Sequence, residues 1–279
     1  MLRRILSARL LVTAALLLSA CSRPRQSAIP VELLDLYAAP GQVRVQTVLA
    51  GAVPEVEAAL VSIPASLEHR EAAVADSAVV WLILAGKGRI TAGEQVFDVS
   101  GETIARAPQG WSWTLEAAPG ETLHALRLRR ALNAQDLEEF AKYPENNAAP
   151  LVKKFSECPA YHEAIKSPKT ISRTLLPENF VPRMALGTVE TTGPDAVGRH
   201  KHPMLEQFFL GLKDNEITVL ADEDHVILPE FALLHIPLGS NHGVEVADGK
   251  KLHYVWMDFF MSKDGQEWLK MHKPVEESK

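Results

Sequence analysis

Gly198-Arg-His-Lys-His-Pro-Met-Leu-Glu206 is the stretch from which the chain is read, and Pro237-Leu-Gly-Ser-Asn-His242 completes it. His200 and His202 stand two apart. On a β-strand that spacing turns both imidazoles to one face, because successive side chains alternate sides. Glu206 follows after Pro203 has interrupted the strand, and His242 follows a Pro-x-Gly turn. Three imidazoles and a carboxylate, His200, His202, Glu206 and His242, form a nitrogen and oxygen donor set suited to one divalent transition metal: iron, manganese, zinc, nickel or copper. Four protein donors leave coordination positions open on an octahedral ion, the arrangement of a catalytic site and not of a closed structural one.

These residues resemble the cupin superfamily, whose first motif runs Gly-x5-6-His-x-His-x3-4-Glu and whose second runs Pro-x-Gly-x2-His. Gly193 or Gly198 with His200, His202 and Glu206 fill the first; Pro237, Gly239 and His242 fill the second. Two turn glycines of the family are missing. Lys213 stands seven residues after Glu206, ahead of Asp214-Asn215, and Phe231 stands six residues before Pro237. The resemblance implies an all-β fold of jelly-roll barrels with a metal inside. It does not imply a reaction, since one fold hosts many chemistries.

Around this centre the chain divides by texture. Residues 1–20 carry Arg3, Arg4 and Arg9 ahead of an apolar run from Leu10 to Leu18 that is too short to span a bilayer, the pattern of a secretory signal. Leu18-Ser19-Ala20-Cys21 resembles a bacterial lipobox, which makes Cys21 the lipidated first residue of the mature protein; an ordinary cleaved signal that holds a Cys is the other reading. Lipid chains would anchor the protein to a membrane surface without spanning it. Ser22 resembles the residue of lipoproteins sent to the outer membrane, which implies its periplasmic face. Residues 21–40 read as a tether leading into a short helix or an extended arm. Residues 41–132 and 170–261 have short β-branched and aromatic runs cut by Gly, Pro and Asp, as sandwiches and barrels do. Between them, residues 133–169 contain a helical segment, Ala134–Lys142, and the breaker cluster Tyr143–Pro150. Residues 262–279 read as a C-terminal helix or tail. The expected architecture is two cupin barrels in tandem.

The two halves align through their turns. Pro108-Gln-Gly110-Trp-Ser-Trp113 matches Pro237-x-Gly239-x-x-His242, and Trp81–Gly88 matches the strand and turn after Glu206. In that register Ala73, Ala75, Val79 and Trp113 stand at the four ligand positions. The first barrel is therefore expected to be packed and metal-free. Trp111 and Trp113 are core filling or a stacking platform for a sugar ring.

Loss of residues 1–20 removes three arginines and no acid, so the formal charge of −6 becomes −9. A chain of that charge with no basic stripe is not a nucleic-acid binder, which must displace counterions with Lys and Arg. With Cys21 lipidated only Cys158 remains, so no disulfide forms within the chain. Arg183 is the candidate for holding a substrate carboxylate bidentately, a plain surface arginine being the alternative. Lys201 and Gln207 flank ligands and point away from the metal if the strands are regular. The expected function is a metal-dependent enzyme of the cell envelope acting on a small oxygenated metabolite, such as a carbohydrate, uronate or phenolic acid. The alternative is a lipoprotein that binds or senses a small ligand without turnover. A homodimer is compatible with either.

Overall fold

The computed structural model describes residues 29–177 and 179–266. The proposed signal, Cys21 and most of the expected C-terminal helix lie outside them. After β1 (Val31–Leu33), nine strands make the first barrel: β2 (Arg44–Val48), β3 (Val56–Ile63), β4 (Glu68–Glu71), β5 (Ser77–Ala85), β6 (Lys87–Ala92), β7 (Gln95–Ser100), β8 (Thr103–Arg106), β9 (Trp113–Ala117) and β10 (Leu123–Ala131). Helix α1 (Ala134–Lys142), β11 (Leu151–Lys154) and β12 (Ala160–Tyr161) form the connection. The second barrel has β13 (Ile171–Leu176), β14 (Met184–Thr192), β15 (Asp195–His200), β16 (Leu205–Gly211), β17 (Glu216–Ala221), β18 (Asp224–Pro229), β19 (Ala232–Ile236), β20 (His242–Val246) and β21 (Lys251–Phe260).

Each barrel is a large sheet closed by a four-stranded one. The large sheets run β11-β8-β5-β10-β3-β2 and β1-β19-β16-β21-β14-β13-β12, and the small sheets run β4-β9-β6-β7 and β15-β20-β17-β18. Strand by strand the orders superpose, so the expected repeat is present in the topology. The Pro-x-Gly turns repeat as well: Trp111 N donates to Pro108 O and Ser240 N to Pro237 O, both at 3.1 Å, with Gly110 and Gly239 at φ of 76° and 75°, the left-handed region that glycine enters without strain.

Two segments read as connections are strands. β1, within the stretch expected to be a tether, pairs with β19 and lies at the edge of the second barrel's large sheet. β11 fills the equivalent edge of the first through β8. Each barrel is thus completed by a strand from outside its own repeat, and an otherwise bare ladder of backbone groups is covered.

The large sheets face one another across a shared core that joins Leu60, Leu82 and Leu126 to Phe208, Leu210 and Phe259. Separate clusters fill the barrels, around Trp81 and Trp113 in the first and around Phe209, Val219 and Tyr254 in the second. α1 seals the junction. Its N-cap is a capping box, with Asn133 Oδ1 accepting from Asp136 N at 2.9 Å and Asp136 Oδ2 accepting from Asn133 N at 3.0 Å.

Candidate metal centre

β15 and β20 run antiparallel, and a register irregularity after Val197 sets His200 directly opposite His242. β20 is held in turn by β17, where His242 faces Ala221. The β17–β18 turn grips the residue ahead of His242: Asn241 N donates to Asp222 Oδ1 and Asp222 N to Asn241 O, both at 3.0 Å. His200, His202 and His242 each bring a ring nitrogen within 4.8 Å of the others. Their ring centroids are 4.5 to 5.3 Å apart.

The tautomers suit a cation. His200 Nδ1–H donates to Gly198 O at 2.8 Å and His242 Nδ1–H to Ser240 O at 3.1 Å. A carbonyl on Nδ1 leaves Nε2 as the lone-pair nitrogen, the usual outer support of a metal-bound imidazole. His242 Nε2 is buried without a partner. Burial, and then the neighbouring His200, push the His242 ring down to about 3, so it stays neutral throughout the ordinary pH range. A buried lone pair flanked by two further imidazoles fits a borderline divalent ion, and these three residues would hold it.

Glu206 does not join them. Its Oε2 lies 2.8 Å from His235 Nε2, on the face of β16 that carries Phe208. That face looks into the core between the barrels, where Phe208 meets Phe259. The opposite face carries Gln207 and Phe209; Phe209 packs on His242 and Tyr254. The expectation that Gln207 points away is therefore reversed, while Lys201 is exposed as expected. The turns give the reason. Asp214 takes the left-handed conformation (φ 65°) and stands seven residues after Gln207, not after Glu206. Phe231 is likewise left-handed (φ 50°), so both glycine positions of the resemblance keep their geometry with other residues.

A cavity of about 150 Å³ adjoins the cluster, lined by His202, Leu205, Gln207, Ile236, Pro237, Gly239, Ser240 and His242. Beside it Asp258 Oδ1 accepts from Gln207 Nε2 at 2.6 Å. Burial raises the Asp258 carboxyl to about 7, against the pull of the Gln207 bond, with Glu163 raising it and Lys166 lowering it. Lys166 comes from the connection between the barrels, where it pairs with Glu163 at 2.8 Å and lies over the Tyr161 ring. Composition alone had not marked Asp258, Glu163 or Lys166.

Arg183 is not in the cavity. Its backbone is left-handed (φ 55°) just ahead of β14, and its side chain crosses to the other barrel. Nε and Nη2 fork onto Asp136 at 2.7 and 2.6 Å, Nη2 also meets Glu55 at 2.8 Å, and Nη1 donates to Phe260 O. It is an inter-barrel clamp and not a substrate contact.

The first barrel differs from expectation at its centre. Trp113 pairs with Ala92 as His242 pairs with Ala221, so that match holds. Glu71, however, lies opposite Trp113 as His200 lies opposite His242, which shifts Ala73 away from the His200 position. Counted back from the Pro-x-Gly turns, Val79 matches Gln207: Gln207 pairs with Ile236, one residue before Pro237, and Val79 stands one step beyond the pair of Val80 with Arg106, toward Pro108. Where the second barrel gathers imidazoles, the first holds a carboxylate between Arg127 and Arg129, with His69 Nε2 at 3.5 Å. Two guanidinium groups already neutralise that centre. Trp113 is core; Trp111 is partly exposed and packs over Gly93.

No protein-family model matches the sequence, and no curated protein matches it. Solved structures do. A cupin 2 conserved barrel domain protein from Leptotrichia buccalis is 15% identical, with a TM-score of 0.57 over 80% of this chain and 91% of that one. The putative glyoxylate induced protein of Pseudomonas aeruginosa is 11% identical, with a TM-score of 0.62 over 77% and 79%. The oxalate decarboxylase of Lactobacillus farciminis is 9% identical, with a TM-score of 0.58 over 90% and 92%. The fold is the cupin barrel. At these identities the likeness is one of fold, and the chemistry must be argued from the site.

Proposed function

We propose that this cupin-fold protein is a metal-dependent enzyme of the bacterial cell envelope, acting on a small oxygenated metabolite of the carbohydrate, uronate or phenolic acid class. The convergence of His200, His202 and His242 on one point, with two of them braced through Nδ1, carries the reading. A bound divalent ion would polarise a substrate oxygen or acidify a bound water. The chain lines the space beside the cluster with Leu205 and Ile236, and Phe209 packs against His242.

Ionisable groups inside the second barrel favour an enzyme over a passive binder, which needs no proton-transfer group beside its metal. Asp258, held against the cavity residue Gln207, is such a group. The lipid anchor at Cys21 would hold the protein at the periplasmic face of the outer membrane, where small scavenged metabolites pass. The test is metal analysis of the purified mature protein, followed by a turnover screen of small hydroxy-acids, uronates and phenolic acids with the loaded protein. Turnover lost in His202→Ala supports the enzyme; saturable binding of the same compounds without turnover makes the protein a metal-dependent binder or sensor.

A further inference from the structure

Gln207 is 5% exposed, and its amide is held at one end only. Nε2 donates to Asp258 Oδ1 at 2.6 Å, while Oε1 is buried with no partner. The amide is planar, so fixing the nitrogen on Asp258 turns the oxygen the other way. Gln207 lines the same cavity as His202 and His242, and His242 Nε2 is also buried without a partner. An unsatisfied buried acceptor is costly, and two of them beside one small cavity call for something electropositive between them.

We infer that the fourth protein donor of the metal centre is the amide oxygen of Gln207, set in place by Asp258. This rests on the metal reading above. Strand parity supports it, because Gln207 shares the inward face of β16 with Phe209, which packs on His242. Glu206 shares the outward face with Phe208 and is paired with His235. Asp258 is a positioning residue in this arrangement: its Oδ1 accepts from Gln207 Nε2, which selects the amide rotamer that presents oxygen to the ion. Three imidazoles and an amide form an uncharged set. A bound dication keeps both its charges and attracts anionic oxygen ligands, carboxylates above all.

The experiment uses the mature protein at pH 8, loaded with Co(II) as an optical probe and with Zn(II) for affinity by chelator competition. Gln207→Leu is expected to weaken Zn(II) binding about tenfold or more and to shift the visible Co(II) bands. Asp258→Asn is expected to weaken binding about tenfold, the usual scale for an outer-shell partner, and to shift the same bands. Glu206→Gln is expected to stay within about twofold of the parent with an unchanged spectrum. Near-ultraviolet circular dichroism checks packing, and if Gln207→Leu does not fold, the Asp258→Asn spectrum decides. Loss of affinity in Glu206→Gln, with Gln207→Leu and Asp258→Asn like the parent, overturns the assignment. The two readings fail separately: full metal occupancy in His202→Ala refutes the metal centre itself, whereas a metal-free His202→Ala beside an unaffected Gln207→Leu refutes only the role of Gln207.

Discussion

Trp113 and His242 occupy equivalent positions in the two barrels, each opening the strand that follows a Pro-x-Gly turn and each paired with the last alanine of the neighbouring strand, Ala92 or Ala221. One backbone thus carries two interiors. The second converges three lone pairs. The first spends the same space on an indole and an internally neutralised carboxylate.

Metal content should follow the imidazoles and nothing in the first barrel. His202→Ala should fall below about a tenth of the parent's metal per chain while keeping its β-sheet circular dichroism, since the first barrel folds on the same plan without such ligands. Trp113→His should gain no second metal, because Glu71 remains clamped by Arg127 and Arg129. Elemental analysis of the two variants beside the parent checks both outcomes. Affinity should also decline as pH drops, because His200 and His202 must be neutral to bind, while His242 stays neutral well into acid.

Arg183→Met should destabilise the protein without touching the metal centre. Asp136 is buried, with its carboxylate forked onto this guanidinium. Removing one partner of a buried pair typically costs about 3–5 kcal/mol. Arg183→Lys should recover only part, since an ammonium cannot reproduce the fork. Urea unfolding measures the loss, and unchanged Zn(II) affinity in the folded variant separates the clamp from a ligand-binding role.

Acid should weaken the first barrel through Glu71. Burial pushes its carboxyl up, but His69, Arg129 and Arg127 together outweigh that and hold it at about 2, below the usual 4.5. A depressed carboxyl contributes stability above its unfolded value, and the contribution is lost as pH falls from about 4.5 toward 2. The shift corresponds to about 3 kcal/mol. Denaturant midpoints of the parent should therefore drop across that window, and Glu71→Gln should start lower and show a flatter dependence.

Cys21→Ser should yield a folded protein that no longer fractionates with membranes. β1 and both barrels follow Cys21 in sequence, and the substitution removes only the proposed site of lipidation. Membrane fractionation of parent and variant decides; equal partition would place the anchor elsewhere.

What the sequence by itself determined was local and periodic. His-x-His reads as a strand pair with two rings on one face; β15 ends at His200, and His202 joins the cluster from just beyond it. Pro-x-Gly dictates a turn whose glycine has φ > 0, and two such turns announced two barrels. α1 was legible from its helical composition, with Leu137 and Phe140 three apart on one face. Tertiary structure alone decided which of two adjacent polar residues meets the site. The family spacing of three or four residues after the second His admits both Glu206 and Gln207, and the choice rests on the pairing of β16 with β19 and β21 and on a left-handed turn at Asp214 that no glycine marked. Sequence alone reads Arg183 as a substrate contact and does not read Glu71 at all, for the same reason. Their partners, Asp136 and Glu55 for the one and Arg127 and Arg129 for the other, lie at least 47 residues away and are brought close only by packing between and within the barrels. Side-chain alternation says which residues share a face of a strand; only the assembled sheets say whether that face looks into a barrel or between two of them.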